Sequence, residues 1–123
     1  ENVFLKEIER DRASEVISTM PLHSKLVLLA IYNLTRNNTK TTTGEVYIHY
    51  KALCAKLGIE SVTQRRVSDI ISELDMIGII TARLISRGRY GKTRMISLAV
   101  PEDVVLNALR GDSYIDSLLS RDR

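Results

Sequence analysis

The sequence predicts a mainly helical domain carrying one β-hairpin in its second half, and three observations predict it. Apolar residues recur at helical spacing between positions 22 and 77. After Gly78 the pattern shortens to two β-type runs around a glycine-flanked tip, and a Pro101-Glu102-Asp103 start then returns the chain to helix. With 123 residues, 44% hydrophobic and 27% charged, there is material for one ordinary domain with appendages, and disorder or a collagen-like chain is excluded. No apolar run approaches the roughly 18 residues that would span a bilayer. One cysteine, Cys54, and two separated histidines, His23 and His49, supply neither a disulfide nor a zinc-ligand set. The chain opens on Glu1 without a signal-peptide pattern, so a piece of a longer cytosolic protein is expected.

Residues 3–19 place Leu5, Ile8, Val16 and Ile17 among charges, a weakly amphipathic helix that belongs to an appendage over residues 1–20. Pro21 suits a first helical turn, and the residues from Leu22 to Leu34 are apolar nearly all round, which demands a central, buried helix. Residues 35–44 turn polar and read as a loop, with Glu45-Val46-Tyr47 as a short strand. Tyr50, Leu53, Cys54 and Leu57 then share one helical face, stopped by Gly58. Ser61 and Gln64 have the spacing of a capping box for a further helix, whose Val67, Ile70, Ile71, Leu74 and Ile77 form its buried stripe and whose stop is Gly78. At 100° per residue, Arg65, Asp69, Ser72 and Met76 point away from that stripe. The hairpin runs over 79–87 and 92–100, with Ile80, Leu84 or Ile85, Ile96 and Leu98 turned inward. Helices at 102–110, stopped by Gly111, and at 113–120 pack on the domain as a C-terminal segment, residues 101–123.

Charge is distributed unevenly. The formal net charge is +3, yet residues 1–20 and 101–123 each carry five acids against three bases, while residues 21–100 carry twelve bases against five acids. Residues 79–94 hold Arg83, Arg87, Arg89, Lys92 and Arg94 with no acid, a stretch that seeks phosphate or another polyanion.

Helix, short strand, helix, tight turn, helix and hairpin is the order of a winged helix-turn-helix, so residues 21–100 are expected to form such a domain and to bind duplex DNA. A helix fits the major groove, where Arg donates bidentately to guanine and Gln to adenine. Gln64, Arg65 and Arg66 supply those groups, and Thr63, Ser68 and Ser72 are short hydroxyls suited to phosphate or base. At the wing, Gly88 permits close backbone approach, Arg89 is long enough for a minor groove, Arg87 and Lys92 flank it on phosphates, and Tyr90 lies against sugar or backbone. About five such cations give a log-log salt dependence near −4.5. Gly91-Lys92-Thr93 imitates the end of a phosphate-binding loop, but Ser86 stands where that loop needs glycine. No nucleophile, base and orienter lie at usable spacing, so no catalytic residue and no metal ligand is assigned. A winged helix also serves as a protein-docking module or within a transcription regulator, and the sequence keeps both as alternatives.

Specific residues carry a likeness: Pro21-Leu22-His23, then Gly44-Glu45-Val46-Tyr47, the run from Thr63 to Ile80, and the wing from Ser86 to Gly91. Over about residues 16–100 the chain resembles the C-terminal winged-helix domain of archaeal replication initiators, homologues of the origin-recognition complex large subunit and cell division control protein six. That resemblance implies binding of double-stranded origin DNA, with Thr63, Gln64, Arg65, Arg66 and Ser68 in the major groove and Arg87, Gly88, Arg89 and Tyr90 at the wing contact. It further implies an archaeal, nucleoid-associated cytoplasmic protein and a replicative helicase as partner. Residues 1–20 would be the end of an AAA+ lid, and ATP and magnesium would bind in an ATPase part that this chain lacks, leaving no cofactor here. The isolated chain is expected to be monomeric and without membrane contact.

Overall fold

A computed structural model describes residues 3–37, 41–86 and 88–121, with the backbone alone for 3–8, 90 and 121. Six helices and one hairpin follow in order: α1 Val3–Ser18, α2 Leu22–Arg36, α3 Thr43–Leu57, α4 Gln64–Met76, β1 Ile80–Ser86, β2 Lys92–Leu98, α5 Glu102–Leu109 and α6 Ser113–Arg121. The architecture is mainly helical with a two-stranded antiparallel wing, a winged helix.

Six consecutive residues of α2, Leu26 to Ile31, are each at most 1% exposed. Six residues turn through more than a full circle, so neighbours surround this helix on every side, as its unbroken apolar composition requires. Each fully buried Leu or Ile contributes roughly 1.5–3 kcal/mol through removal from water. Ile17 of α1, Val105 and Leu109 of α5, and Ile115 of α6 join the same core. The acidic C-terminal segment is therefore packed into the body: Lys25 of α2 bonds Asp112 at 3.2 Å, and Asp112 also accepts from the Tyr114 amide at 2.9 Å, capping α6.

Three local expectations change. Residues 45–47 are the first turn of α3, because Thr42 is its N-cap, accepting from the Glu45 amide at 3.4 Å, and Val46 falls on the buried stripe with Tyr50 and Leu53. Strand-like pairing lies just before the helix, in a Thr42–Met95 bridge, with the Ile96 amide donating to the Thr41 carbonyl at 2.8 Å. Thr63, not Ser61, caps α4, its hydroxyl accepting from the Arg66 amide at 3.1 Å. Residues before it stay extended because the Val62 amide donates to the Tyr50 hydroxyl at 2.8 Å. Ile77 is turned out, 52% exposed, since Gly78 adopts a φ of 83° and reverses the chain. Ile79 takes its place, with its amide on the Leu74 carbonyl at 3.0 Å and its side chain buried.

The hairpin pairs Ile80 with Leu98 through Ser86 with Lys92. Ile80 and Ile96 are buried at its base, whereas Leu84, on the same face farther out, is 60% exposed, and Ile85 on the other face is half-buried. The wing leaves the core at the level of Ala82 and Ile96.

Candidate nucleic-acid interface

Two surfaces meet beside α4. Gln64, Arg65, Arg66, Asp69 and Ser72 are exposed along the helix, with Val67, Ile70, Ile71 and Leu74 buried behind them, so the division of faces follows the sequence periodicity. Gln64 and Ser68 then line one cleft, about 520 Å³, together with Thr42 and Gly44 at the start of α3 and Lys92, Thr93 and Arg94 of β2. The wing is thus folded back alongside the polar face of α4, and Glu45 of α3 is the one acid that lines the cleft among the described residues.

Within it the side chains already hold one another. Arg94 donates to the Ser72 hydroxyl at 2.8 Å, to the Ser68 carbonyl at 3.0 Å and to the Ser68 hydroxyl at 2.6 Å, tying β2 to one turn of α4. Ser68 and Ser72 therefore orient the wing, and the Ser72 hydroxyl is used within the tie, donating in turn to the Ser68 carbonyl at 3.3 Å. Arg66 reaches two turns along α4 to Glu73 at 3.0 Å, an exposed pair at 47% and 58%. Thr63 spends its oxygen on the cap and keeps its hydroxyl hydrogen. Gln64, Arg65 and Lys92 are exposed.

At the tip a single 3-10 turn spans Gly88–Tyr90, closed by the Gly91 amide on the Gly88 carbonyl at 3.2 Å. Gly88 and Gly91 have φ of 64° and 85°, and an added Cβ would meet nothing within 4 Å at either. Backbone angle, not crowding, calls for glycine there. Gly88 and Arg89 are exposed at this tip. Arg87 and the side chain of Tyr90 lie outside the described residues.

Tyr50, Cys54 and Asp103 have displaced ionisation. Burial pushes the Tyr50 hydroxyl up to about 12 and raises the Cys54 thiol, and the Arg10 guanidinium bonded to Asp103 lowers that carboxyl. None of the three lines the cleft. Among the described residues no three His, Cys, Asp or Glu side chains gather to hold a metal, and no helix is long and apolar enough to cross a membrane.

The profile described as CDC6, C terminal winged helix domain, matches residues 15–108. The chain belongs to this family. It is 61% identical over 116 residues to ORC1-type DNA replication protein 1 of Sulfolobus acidocaldarius, covering 94% of this chain and 29% of that protein. With the protein of the same name from Sulfurisphaera tokodaii, identity is 62% over 117 residues, again 94% of this chain and 29% of the relative. The structure of the Aeropyrum pernix Orc1 protein in complex with DNA superposes with a TM-score of 0.88 at 56% identity, covering 92% of this chain and 30% of that one. This CDC6-type winged helix thus spans under a third of the length of the relatives it matches. The likeness reaches past residue 100 into α5, beyond the stretch that the sequence motifs alone delimit.

One member of the site escapes the motif reading. Arg94 stands out in the sequence only as part of a basic run. Counting back from the glycine-flanked tip, strand alternation places it on the face of Ile96 and Leu98, the inward face. A cation on the inward face of a strand signals a specific tie, and that signal was available.

Proposed function

We propose that this chain binds double-stranded origin DNA, with the N-terminal half of α4 in the major groove and the wing in an adjacent minor groove. Gln64 and Arg65 read base edges; Thr63, Arg66 and Ser68 meet base or phosphate; Arg89 enters the minor groove, with Arg87, Gly88, Tyr90 and Lys92 on backbone. The observation that carries this reading is the shared cleft: exposed Gln64 and the tip-side half of β2, with Lys92, line the same surface, so one duplex can touch both. The Aeropyrum relative, solved in complex with DNA, supports the same direction. ATP and magnesium belong to the part of the longer relatives that this chain does not include, and contact with a replicative helicase belongs to the whole assembly. The isolated chain is monomeric, a point that sedimentation decides.

One such module buries only about 600–1,000 Å² on DNA, so isolated affinity is moderate and salt-sensitive. Gel shifts with origin and scrambled duplexes test the assignment. Arg65→Ala and Arg89→Ala should each weaken binding, Arg65→Ala by about 1–3 kcal/mol if it holds a guanine. Unchanged binding in both variants removes the groove assignment. A protein-docking role has Met76 and Ile77 in its favour, 85% and 52% exposed at the end of α4, and a helicase pull-down from nuclease-treated extract separates it from DNA binding.

A further inference from the structure

We propose that Arg94 is a positioning residue: its hold on Ser68 and Ser72 fixes the angle between wing and α4, and so the spacing of the two groove contacts, without Arg94 itself touching phosphate. The inference rests on the duplex-binding reading and deepens it.

Three distances carry it. The guanidinium places Nη1 on the Ser72 hydroxyl at 2.8 Å and Nη2 on the Ser68 carbonyl and hydroxyl at 3.0 and 2.6 Å, three acceptors across one turn of helix. Ser68 and Ser72 are four residues apart and share a face, so a planar fork can engage both at once where a lysine ammonium could not. Along the hairpin, Arg94 stands opposite Leu84, which is 60% exposed, and so lies where apolar packing has ended. The neighbouring attachment of β2 is an edge one, the Thr42–Met95 bridge and the Ile96 amide on Thr41. An edge bridge resists sliding but acts as a hinge axis, about which the hairpin can swing toward or away from α4. Arg94, on the α4 side of that axis, blocks the swing. A ligand that must touch α4 and the wing together gains affinity when their separation is set beforehand, because less freedom is lost on binding.

The test compares this chain with Arg94→Ala, Arg94→Lys, Ser72→Ala, and the combination of Arg94→Ala with Ser72→Ala. Fluorescence anisotropy gives duplex affinity across salt, and amide ¹⁵N relaxation gives wing order in the DNA-free chain. Arg94→Ala is expected to lose roughly ten-fold in affinity with the salt slope unchanged, and the combined variant to lose no more than Arg94→Ala alone, because both act on one tie. Arg94→Lys is expected to remain weak, and amides from 84 to 92 to lose order relative to α4 in Arg94→Ala. A slope reduced by about 0.9 with additive losses would instead make Arg94 a phosphate contact. Full rescue by lysine would make charge, not the fork, the operative property, and an unchanged wing order would remove the positioning role. If the unmodified chain binds no duplex, the DNA reading fails while the relaxation measurement still decides the tie.

Discussion

Lys25 and Arg94 both join segments far apart in sequence, and they do it in opposite electrostatic ways. Lys25 meets the Asp112 carboxylate at 3.2 Å with side chains only 10% and 17% exposed, so the tie between α2 and the start of α6 cancels its own charge. Arg94 bonds three neutral oxygens, so the tie between wing and α4 keeps its positive charge on the surface. A neutral tie serves the fold alone. A tie made to neutral oxygens sets the geometry of the proposed DNA-binding face without bringing a carboxylate onto it. The contrast divides the polar contacts of this molecule into those whose loss should appear in stability and those whose loss should appear in DNA binding.

The largest effect is expected on the fold side. Lys25→Met keeps the apolar stem but leaves the Asp112 carboxylate poorly solvated without its cation, which should cost about 2–4 kcal/mol in guanidinium denaturation. The salt slope of duplex binding should not move. A loss under about 1 kcal/mol, or an altered slope, would erase the distinction between the two ties.

Tyr50 sharpens the same contrast from within the core. Its hydroxyl accepts from the Val62 amide at 2.8 Å and lies 2.7 Å from His23 Nδ1, joining α2, α3 and the segment that leads into α4. Tyr50→Phe leaves the Val62 amide without that acceptor and should cost about 1–3 kcal/mol at neutral pH. Burial raises the hydroxyl to about 12 in the folded chain against an ordinary value of 10, so folding favours the protonated form. The associated stability is intact below pH 10 and falls as pH climbs toward 12, by about 1.4 kcal/mol per unit. The gap between parent and Tyr50→Phe should therefore narrow above pH 10, and a gap constant to pH 12 would contradict the burial of this hydroxyl.

Much of the fold was legible because its signals are local. The all-apolar α2, the α4 stripe from Val67 to Leu74 and the stop at Gly78 depend on residues within a turn or two, and each lies where periodicity puts it. The start of α3 was not, because Thr42, Thr43 and Val46 favour a strand when taken singly. Their helical role rests on the cap to Glu45 and on burial of Val46 against a core that sequence alone does not display. The site divides likewise. Exposure of Gln64 and Arg65 follows from the helical period, whereas the Arg94 fork spans 22 and 26 residues and is decided by tertiary placement.

The smallest effect concerns the other arginine held on α4. Arg66 sits in the first turn, where the helix dipole disfavours a cation, and its guanidinium leans two turns along to Glu73 at 3.0 Å. With the side chains 47% and 58% exposed, the pair is screened by water and contributes little to stability. Glu73→Gln should therefore shift unfolding by no more than about 0.5 kcal/mol. On the DNA side the change is expected to be a gain: a negative charge leaves the exposed face of α4, and Arg66 no longer divides its charge between Glu73 and a phosphate. Affinity at low salt should rise a few-fold and the salt slope should steepen by up to about 0.9, one added counterion-releasing contact. A weaker affinity at unchanged slope would carry the opposite meaning, that Glu73 holds Arg66 in its binding orientation, and Arg66 would then join Arg94 among the ties that preset the surface.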